Sequence, residues 1–293
     1  MPKFVVDAKT DLLSALALRF PESSKTTLRQ MLQQSRVSVN GVLEKNARRE
    51  LVPGDEIDLA NRSQLRGLSG ALSILHEDED VIVVAKASGL LSVASKDETE
   101  QTAEAFLNEY LRAGAREKVH VVHRLDRDTS GVMLFAKSPL AHDALKETFA
   151  EHDIDRVYVA IVEGGPPTEE GTIRSYLREE PRTLMVRVVG ERDGGKLAIT
   201  HYRVVERGKL YSMLEVTLET GRRNQIRAQF ADQGFPVAGD ARFGAASDPF
   251  GRLALHARTL GFAHPRTGRK MLFTAPLPSE FQPLPARFVR WPK

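Results

Sequence analysis

The chain has 293 residues, of which 41% are hydrophobic and 28% charged, with a net charge of only +3. This length supports a sizeable core, in one large domain or two unequal ones. The absence of cysteine excludes disulfides, thiol nucleophiles and thiolate metal sites. The first twenty residues carry Asp7 and Asp11 where a signal peptide needs apolar residues, and no apolar run approaches the ~20 residues of a membrane span. We therefore expect a soluble cytoplasmic protein without membrane contact.

The basic residues are unevenly distributed along the chain. Residues 249–279 contain no Asp or Glu but include Arg252, Arg258, Arg266, Arg269 and Lys270. The segment "TGRRNQIRAQF" adds further arginines without an acid. This distribution is typical of a basic face for a polyanionic partner, but also of an ordinary solvated surface, and charge alone leaves both open.

The first predicted elements form a small α/β module. The spacing of leucines in 10–20 predicts a helix with Thr10 as its cap, and residues 23–34 predict a second helix begun by Ser23 or Ser24. Asn40-Gly41 after a Val-rich stretch predicts a hairpin, since both positions accept positive φ. A turn at Pro53-Gly54 and a strand complete the module.

We place the module at residues 1–62, a polar linker at 63–71 and a second domain at 72–293. Strands dominate the second domain, with helices expected around 101–113, 139–151 and 222–233 and hairpin turns at Gly194-Gly195 and Gly208-Lys209. The expected fold class is α+β, with a mixed, largely antiparallel sheet rather than a doubly wound nucleotide fold.

Several common motifs are absent. There is no GxGxxG, GxxxxGK[ST], HExxH or GxSxG, which disfavours nucleotide cofactors, zinc-protease chemistry and a hydrolase triad. His120 and His123 would point to opposite faces of a strand and would not chelate a metal together. We expect neither a cofactor nor a metal.

The stretch "VHVVHRLDRDTSGVMLFAKS", residues 119–138, places a charged loop between two apolar strands. Turn formation explains one Asp, a Ser and Gly131, and we expect Thr129-Ser130-Gly131 to form the turn. It does not require Arg-Leu-Asp at a strand end. A reactive carboxylate at this position would need a nearby cation or hydrogen-bond donors to stay ionised when substrate excludes water. The segment "GRRNQIR" is the candidate source of the cation.

The segment "HRLDRDTSGVMLFAKS" resembles the active-site signature of the RluA/RluD family of pseudouridine synthases. Four other segments resemble the family in the same order: "LSILHEDEDVIVVAKASGLL", "DRVYVAIVEG", "LETGRRNQIRAQFADQGFPVAGDARFG" and "RLALHARTLGFAHP". Together the five cover about residues 72–275. The N-terminal module resembles the small RNA-binding domain of ribosomal protein S-four.

The resemblance implies a role for individual residues. It makes Asp126 the catalytic aspartate, Arg227 the cation that keeps it ionised, Tyr158 the ring that packs on the target uracil, and Arg124 a residue that holds RNA with its base turned out. Without it, Tyr158 would be read as a core tyrosine and Arg227 as a surface arginine. We expect further RNA contacts from Lys25, Arg29, Arg36 and Arg222.

The implied reaction isomerises uridine in structured RNA and needs no cofactor. The carboxylate either attacks the anomeric carbon or takes a neighbouring sugar proton, and the sequence does not choose between them. Ribosomal RNA of the large subunit is favoured over transfer RNA as target, and a monomer is expected. The alternatives are a catalytically silent RNA-binding protein in ribosome assembly and an isomerase directed to transfer RNA.

Four positions depart from the family pattern. Asn224 and Gln229 stand where the resemblance implies histidines, Ala87 where it implies proline, and Phe243 where it implies tyrosine. These departures leave the reaction type in place and put substrate identity and rate in question.

Overall fold

The computed structural model describes residues 3–21, 23–33, 37–40, 42–44, 46–59, 71–94, 101–112, 118–151 and 153–281. Apart from Ala71, the predicted linker lies outside these residues, and the boundaries placed there stay a prediction.

The N-terminal region contains two helices and two small antiparallel sheets. Its elements are β1 (Lys3–Val5), β2 (Thr10–Asp11), α1 (Leu12–Arg19), α2 (Lys25–Gln33), β3 (Val37–Val39), β4 (Val42–Leu43), β5 (Glu50–Leu51) and β6 (Glu56–Leu59). One sheet has the strand order β1-β6-β3-β4, and β2 pairs with β5. The predicted hairpin joins β3 to β4, with Asn40 at φ 51°.

Local hydrogen bonds start both helices. Asp11, rather than the expected Thr10, caps α1 because its carboxylate accepts the Ser14 amide, while Thr10 pairs in β2. Ser24 caps α2 by accepting the Thr27 amide at 3.1 Å, as predicted. The inner faces of both helices share a hydrophobic cluster whose buried members all lie between Val6 and Ile57.

The remaining elements build one large sheet with helices against it. They are β7 (Leu72–Glu77), β8 (Val81–Lys86), α3 (Ala103–Arg112), β9 (His120–Val121), β10 (Ser130–Ala136), α4 (Pro139–Ala150), β11 (Asp155–Glu163), β12 (Glu170–Glu179), β13 (Val186–Val189), β14 (Lys196–Arg207), β15 (Tyr211–Leu218), α5 (Gln225–Asp232), β16 (Leu255–Ala263) and β17 (Lys270–Thr274).

The large sheet has the strand order β13-β12-β14-β15-β11-β16-β10-β8-β7, with β17 beside β16 and β9 beside β10. Among the described strands, β10 and β16 form the parallel pair, and the others pair antiparallel. This confirms the α+β class with a mixed, largely antiparallel sheet. Two strands were not predicted from the sequence: β12, whose exposed face is polar, and β17.

The parallel pair lies directly beside the charged loop. All seven residues of β10 are buried, and Gly131 has φ +125°. A Cβ at Gly131 would lie 2.0 Å from the Ala257 carbonyl oxygen of β16, so a larger residue does not fit there. Ser130 and Gly131 therefore belong to the strand, and the turn spans 126–129 instead of 129–131. The Thr129 amide closes it on the Asp126 carbonyl at 3.2 Å.

None of the helices in the described ranges is long and apolar enough to cross a bilayer.

Candidate active site

The loop that carries Asp126 is supported from beneath by a buried lysine. Lys86, at the end of β8, is 2% exposed and donates from Nζ to the carbonyls of Leu90 (2.7 Å), Arg127 (2.9 Å) and Ala87 (3.0 Å). Burial lowers the pKa of Lys86 to about 7, although the charges of Asp128 and Asp126 oppose the shift. Lys86 was not predicted as a site residue, although a lysine that ends an otherwise apolar strand is a signal for such a role.

The segment after β8 adds further support for the loop. Ser92 exchanges two hydrogen bonds with the Leu125 backbone, and the Ser88 hydroxyl donates to the Asp128 carbonyl. Ala87, one of the departures, uses its amide to bond the Ala71 carbonyl at 2.8 Å. A proline there has no amide hydrogen to donate, so this chain gains a backbone hydrogen bond at that position.

The Asp126 carboxylate is held through one of its two oxygens. Asn224 Nδ2 donates to Oδ2 at 2.6 Å, and Arg227 Nη1 donates to the same oxygen at 3.3 Å. No hydrogen bond from the described residues reaches Oδ1. The side chain is 22% exposed, so it faces solvent while its donors are buried. Both donors come from "GRRNQIR", the segment that the sequence analysis named.

Asn224 adopts an unusual conformation at the start of α5. Its backbone has φ 50° and ψ 25°, the left-handed region that Asn tolerates better than most residues. Its side chain is buried at 8% exposure, and Oδ1 has no hydrogen-bond partner among the described residues. An unsatisfied buried amide oxygen costs about 1–3 kcal/mol of stability.

Arg227 is fixed chiefly by Asp240, which the sequence analysis did not single out. Nε and Nη2 of Arg227 donate to the two oxygens of Asp240 at 2.6 and 2.7 Å, and both side chains are buried. Burial alone would lower the pKa of Arg227, but the hydrogen bonds and charge of Asp240, followed by those of Asp126, raise it. The Phe243 ring lies 4.8 Å from the guanidinium, so this departure retains the aromatic face against the cation.

Tyr158 lies on β11, where the pairing with β16 shifts between Val157 and Tyr158. Its ring packs against two hydrophobic clusters of the sheet. Burial raises the pKa of Tyr158 to about 12, with Arg156 lowering it and Asp126 raising it further. The phenol is therefore neutral at physiological pH.

Asp126 lies where two adjoining cavities meet. The inner cavity, about 340 Å³, is lined by Asp126, Tyr158 and Leu255 among others. The arginine cavity, about 780 Å³, extends past the loop, and its lining includes Arg127, Arg242 and Arg252. Both cavities share five residues: Arg124, Asp126, Arg223, Asn224 and Arg227. The fold thus gathers Arg124, Asp126, Tyr158 and Arg227 around one opening.

The predicted RNA contacts are distributed over two regions. Arg222 is exposed at the inner cavity, with Nε donating to the Leu197 carbonyl. Lys25 and Arg29 are exposed on α2 in the N-terminal region. Arg36 lies outside the described residues.

The acid-free segment 249–279 is not a continuous free basic face. Arg252 pairs with Glu280 at 3.0 Å, and Arg266 pairs with Glu79 and Asp80. Arg242, which follows Asp240, donates instead to the Thr183 carbonyl and the Met185 sulfur, and has no acidic partner among the described residues. Arg242 is thus held in place, and no acidic side chain among the described residues compensates its charge.

Gln229 lies away from both cavities and holds strands together. It is fully buried, accepts the Thr200 hydroxyl at 2.6 Å and donates to Ser175 Oγ at 2.9 Å and to strand carbonyls. This departure therefore affects packing between α5 and the sheet rather than the site.

His123, one of the two histidines considered as metal ligands from the sequence, has a structural role. His123 accepts the Leu134 amide at 3.0 Å and stacks on Phe149, and burial lowers its pKa to about 3. Elsewhere in the described part of the chain, Asp78, Asp80 and His264 place ligand atoms within 4.8 Å of one another. Arg266 already neutralises Asp80 in that cluster.

Comparison with known proteins agrees with this geometry. Residues 80–232 match the family model described as RNA pseudouridylate synthase. The chain is 34% identical over 276 residues to "Uncharacterized RNA pseudouridine synthase YlyB" of Bacillus subtilis, covering 89% of this chain and 88% of that one. It is 34% identical over 293 aligned positions to "Ribosomal large subunit pseudouridine synthase D" of Xanthomonas campestris, covering 92% and 86%.

A solved structure shares the fold. Human RNA pseudouridylate synthase domain containing 1 superposes with a TM-score of 0.57 and 26% identity, over 70% of this chain and 83% of that one. The predicted fold class, enzyme class and RNA substrate are confirmed at this level. The chain therefore belongs to the RNA pseudouridylate synthase family, an isomerase family that acts on RNA.

Proposed function

We propose that this chain converts uridine to pseudouridine in large-subunit ribosomal RNA, with Asp126 as its catalytic carboxylate. The observation that carries the proposal is the Asp126 side chain, held by Asn224 and Arg227 through Oδ2 at the junction of two arginine-lined cavities. The name of the Xanthomonas campestris relative supports the ribosomal target.

The isomerisation balances without a co-reactant. The bond from C1′ to N1 of the base breaks, the base rotates, and a bond from C1′ to C5 forms. C5 loses a proton and N1 gains one, so nothing is oxidised or reduced. Asp126 either attacks C1′ or removes a neighbouring sugar proton, and both steps need an ionised carboxylate. The donors on Oδ2 stabilise that charge where substrate excludes water.

Tyr158 supplies the surface on which the uracil packs. Its ring lines the inner cavity beside Asp126 and is only partly buried, and an aromatic ring stacks well on a base. Because its pKa is about 12, the hydroxyl is protonated at neutral pH. It therefore assists removal of the proton from C5 as a hydrogen-bonding group and not as a phenolate.

The arginine cavity binds the RNA strand on either side of the target. The target base must leave its stack, which costs a few kcal/mol. Contacts from Arg124, Arg127 and Arg242 to phosphates offset that cost. These contacts position the strand, while the inner cavity selects the base.

We expect Arg242→Gln to weaken RNA binding without reducing the rate of bound substrate. Loss of one phosphate contact makes the slope of log affinity against log salt less steep by about 0.7 to 0.9. Filter binding from low to moderate salt measures this. The control is Arg203→Gln, because Arg203 pairs with Glu215 on an exposed strand face outside both cavities. An unchanged slope for Arg242→Gln would remove this cavity from the RNA path.

The N-terminal module provides a second RNA contact. Its core is a separate hydrophobic cluster, and Lys25 and Arg29 face outwards from α2. We propose that residues 1–62 form the S-four-like RNA-binding domain that the sequence resembles, with Arg36 as a further contact.

Deletion of residues 1–62 is expected to lower RNA affinity and to reduce its salt slope by about 2 to 3, since each lost phosphate contact contributes about 0.7 to 0.9. The remaining chain should keep its melting transition, because the large sheet has its own clusters. Titration of RNA into both proteins measures the affinity, and circular dichroism measures the folding. Aggregation of the shortened chain would argue against the boundary.

The experiment that tests the function uses total RNA from cells that lack this protein. The RNA is incubated with purified protein, and pseudouridine is mapped at nucleotide resolution. New sites in large-subunit ribosomal RNA support the proposal. New sites in transfer RNA instead would correct the target and keep the chemistry. Tight binding with no new site would favour the silent assembly factor.

A further inference from the structure

Asn224, which donates a hydrogen bond to Asp126, combines two features that reduce stability. Its backbone is left-handed, and its side-chain oxygen is buried without a partner among the described residues. As the residue before α5, it also makes no side-chain hydrogen bond that caps the helix. Its amide nitrogen makes one short hydrogen bond, at 2.6 Å, to Asp126 Oδ2. Unfavourable local geometry of this kind persists where the surrounding structure enforces it, often at functional sites.

The left-handed backbone decides where the amide points. Asn224 precedes the first turn of α5, and Arg227 is one turn further along the same helix. Their side chains converge on Oδ2 of one carboxylate, which lies on a loop almost a hundred residues earlier in the chain. Because Oδ2 accepts two hydrogen bonds, the carboxylate is fixed in rotation, and Oδ1 is the oxygen that receives no donor from the described residues.

We infer that Asn224 is a positioning residue for the reaction: its amide and Arg227 hold Asp126 Oδ2 so that Oδ1 alone meets the sugar. This inference rests on the proposed role of Asp126. Arg227 supplies the positive charge beside the Asp126 carboxylate, and its guanidinium is itself held in place by Asp240. Asn224 fixes the orientation of the carboxylate through an amide donor that does not ionise.

A histidine at this position provides a sharp comparison. It tolerates left-handed backbone and donates from a ring nitrogen, so Asn224→His is expected to retain the contact. Unlike an amide, it ionises near neutral pH. Other ionisable groups around Asp126 are common to wild type and variant, and include Lys86, Arg124, Asp128, Tyr158, Arg223, Arg227 and Asp240. The difference between the two pH profiles therefore reports residue 224.

The test measures single-turnover rates and RNA affinity separately. Unmodified transcripts of large-subunit ribosomal RNA and of transfer RNAs, with tritium on uridine C5, release that tritium as the new bond forms. The variants are Asn224→Gly, which keeps the backbone conformation and removes the amide, and Asn224→His. The matched control is Asn40→Gly, because Asn40 is also left-handed and donates to an aspartate, Asp55, at 2.8 Å in the N-terminal region.

We expect Asn224→Gly to lower the single-turnover rate by about 10- to 100-fold with RNA affinity unchanged within about twofold. Asn224→His should restore most of the rate and add one ionisation between about pH 5.5 and 7.5. Asn40→Gly should keep the wild-type rate. Circular dichroism at the assay temperature checks that each variant is folded, and the added ionisation of Asn224→His stands as a measurement independent of the glycine variant.

A wild-type rate for Asn224→Gly would overturn the inference, as would an Asn224→His variant with neither recovered rate nor a new ionisation. Those results leave the proposed function intact as long as Asp126→Asn is inactive. An active Asp126→Asn variant would instead remove the proposed function, and with it this inference.

Discussion

Asp126→Asn is expected to lower the rate of pseudouridine formation by about 10³-fold or more, because an amide neither attacks a sugar carbon nor accepts its proton effectively. RNA affinity should change by no more than a few-fold. Arg227 retains both hydrogen bonds to Asp240, so the variant keeps the buried ion pair and the fold around it. The structure thus separates loss of chemistry from loss of binding at this position.

The measurement is tritium release under single-turnover conditions, with RNA binding followed in parallel. Asp128→Asn is the matched control: Asp128 is an exposed acid two positions along the same loop, and it lines only the arginine cavity. We expect that control to retain activity within about tenfold. Equal activity of Asp126→Asn and wild type would rule out Asp126 as the catalytic carboxylate.

Asp240→Asn is expected to destabilise the protein by about 3–5 kcal/mol, because it leaves the buried Arg227 guanidinium without its bidentate anion. The same change should reduce activity, since Arg227 then reorients and no longer supports Asp126. Sequence position alone gives no reason to expect this, since Asp240 follows α5 in an irregular segment.

Urea unfolding followed by circular dichroism measures the stability of Asp240→Asn. Glu215→Gln is the control, because it breaks the exposed pair with Arg203 and should cost less than about 1 kcal/mol. A cost below about 1 kcal/mol for Asp240→Asn would show that Arg227 finds another partner. The proposed function would then stand, but Asp240 would lose its supporting role.

Local patterns predicted the elements that local physics controls. Helix α2 is capped by Ser24 and buries Leu28 and Leu32 as their spacing indicated, since capping and periodicity involve residues within a few positions. Asn40 forms its hairpin turn for the same reason. Predictions were less accurate where pairing overrode propensity: β9 covers only His120–Val121 of a longer apolar run, and Thr10 entered a strand instead of capping α1.

The site itself was predicted unevenly. The sequence motif identified Asp126, Tyr158, Arg227 and Arg124, and the fold brings all four to one opening. The distribution of basic residues also left open a basic face over residues 249–279. In the fold, Arg252 and Arg266 of that segment pair with acidic residues. A charge in a sequence has no partner until the chain folds, because ion pairs depend on distance in space.

The sequence by itself predicted the fold class from its periodicity, and its ordered motifs carried the resemblance to the family and the candidate residues for the chemistry. The tertiary structure alone decided how the carboxylate is held. Lys86 holds the Arg127 carbonyl from 41 residues away, and Asn224 holds Asp126 from 98 residues away while its own Oδ1 has no partner among the described residues. Asp240 holds Arg227 from an irregular segment 13 residues further along the chain. Such contacts depend on burial and on hydrogen bonds between segments, which only the folded sheet brings within reach.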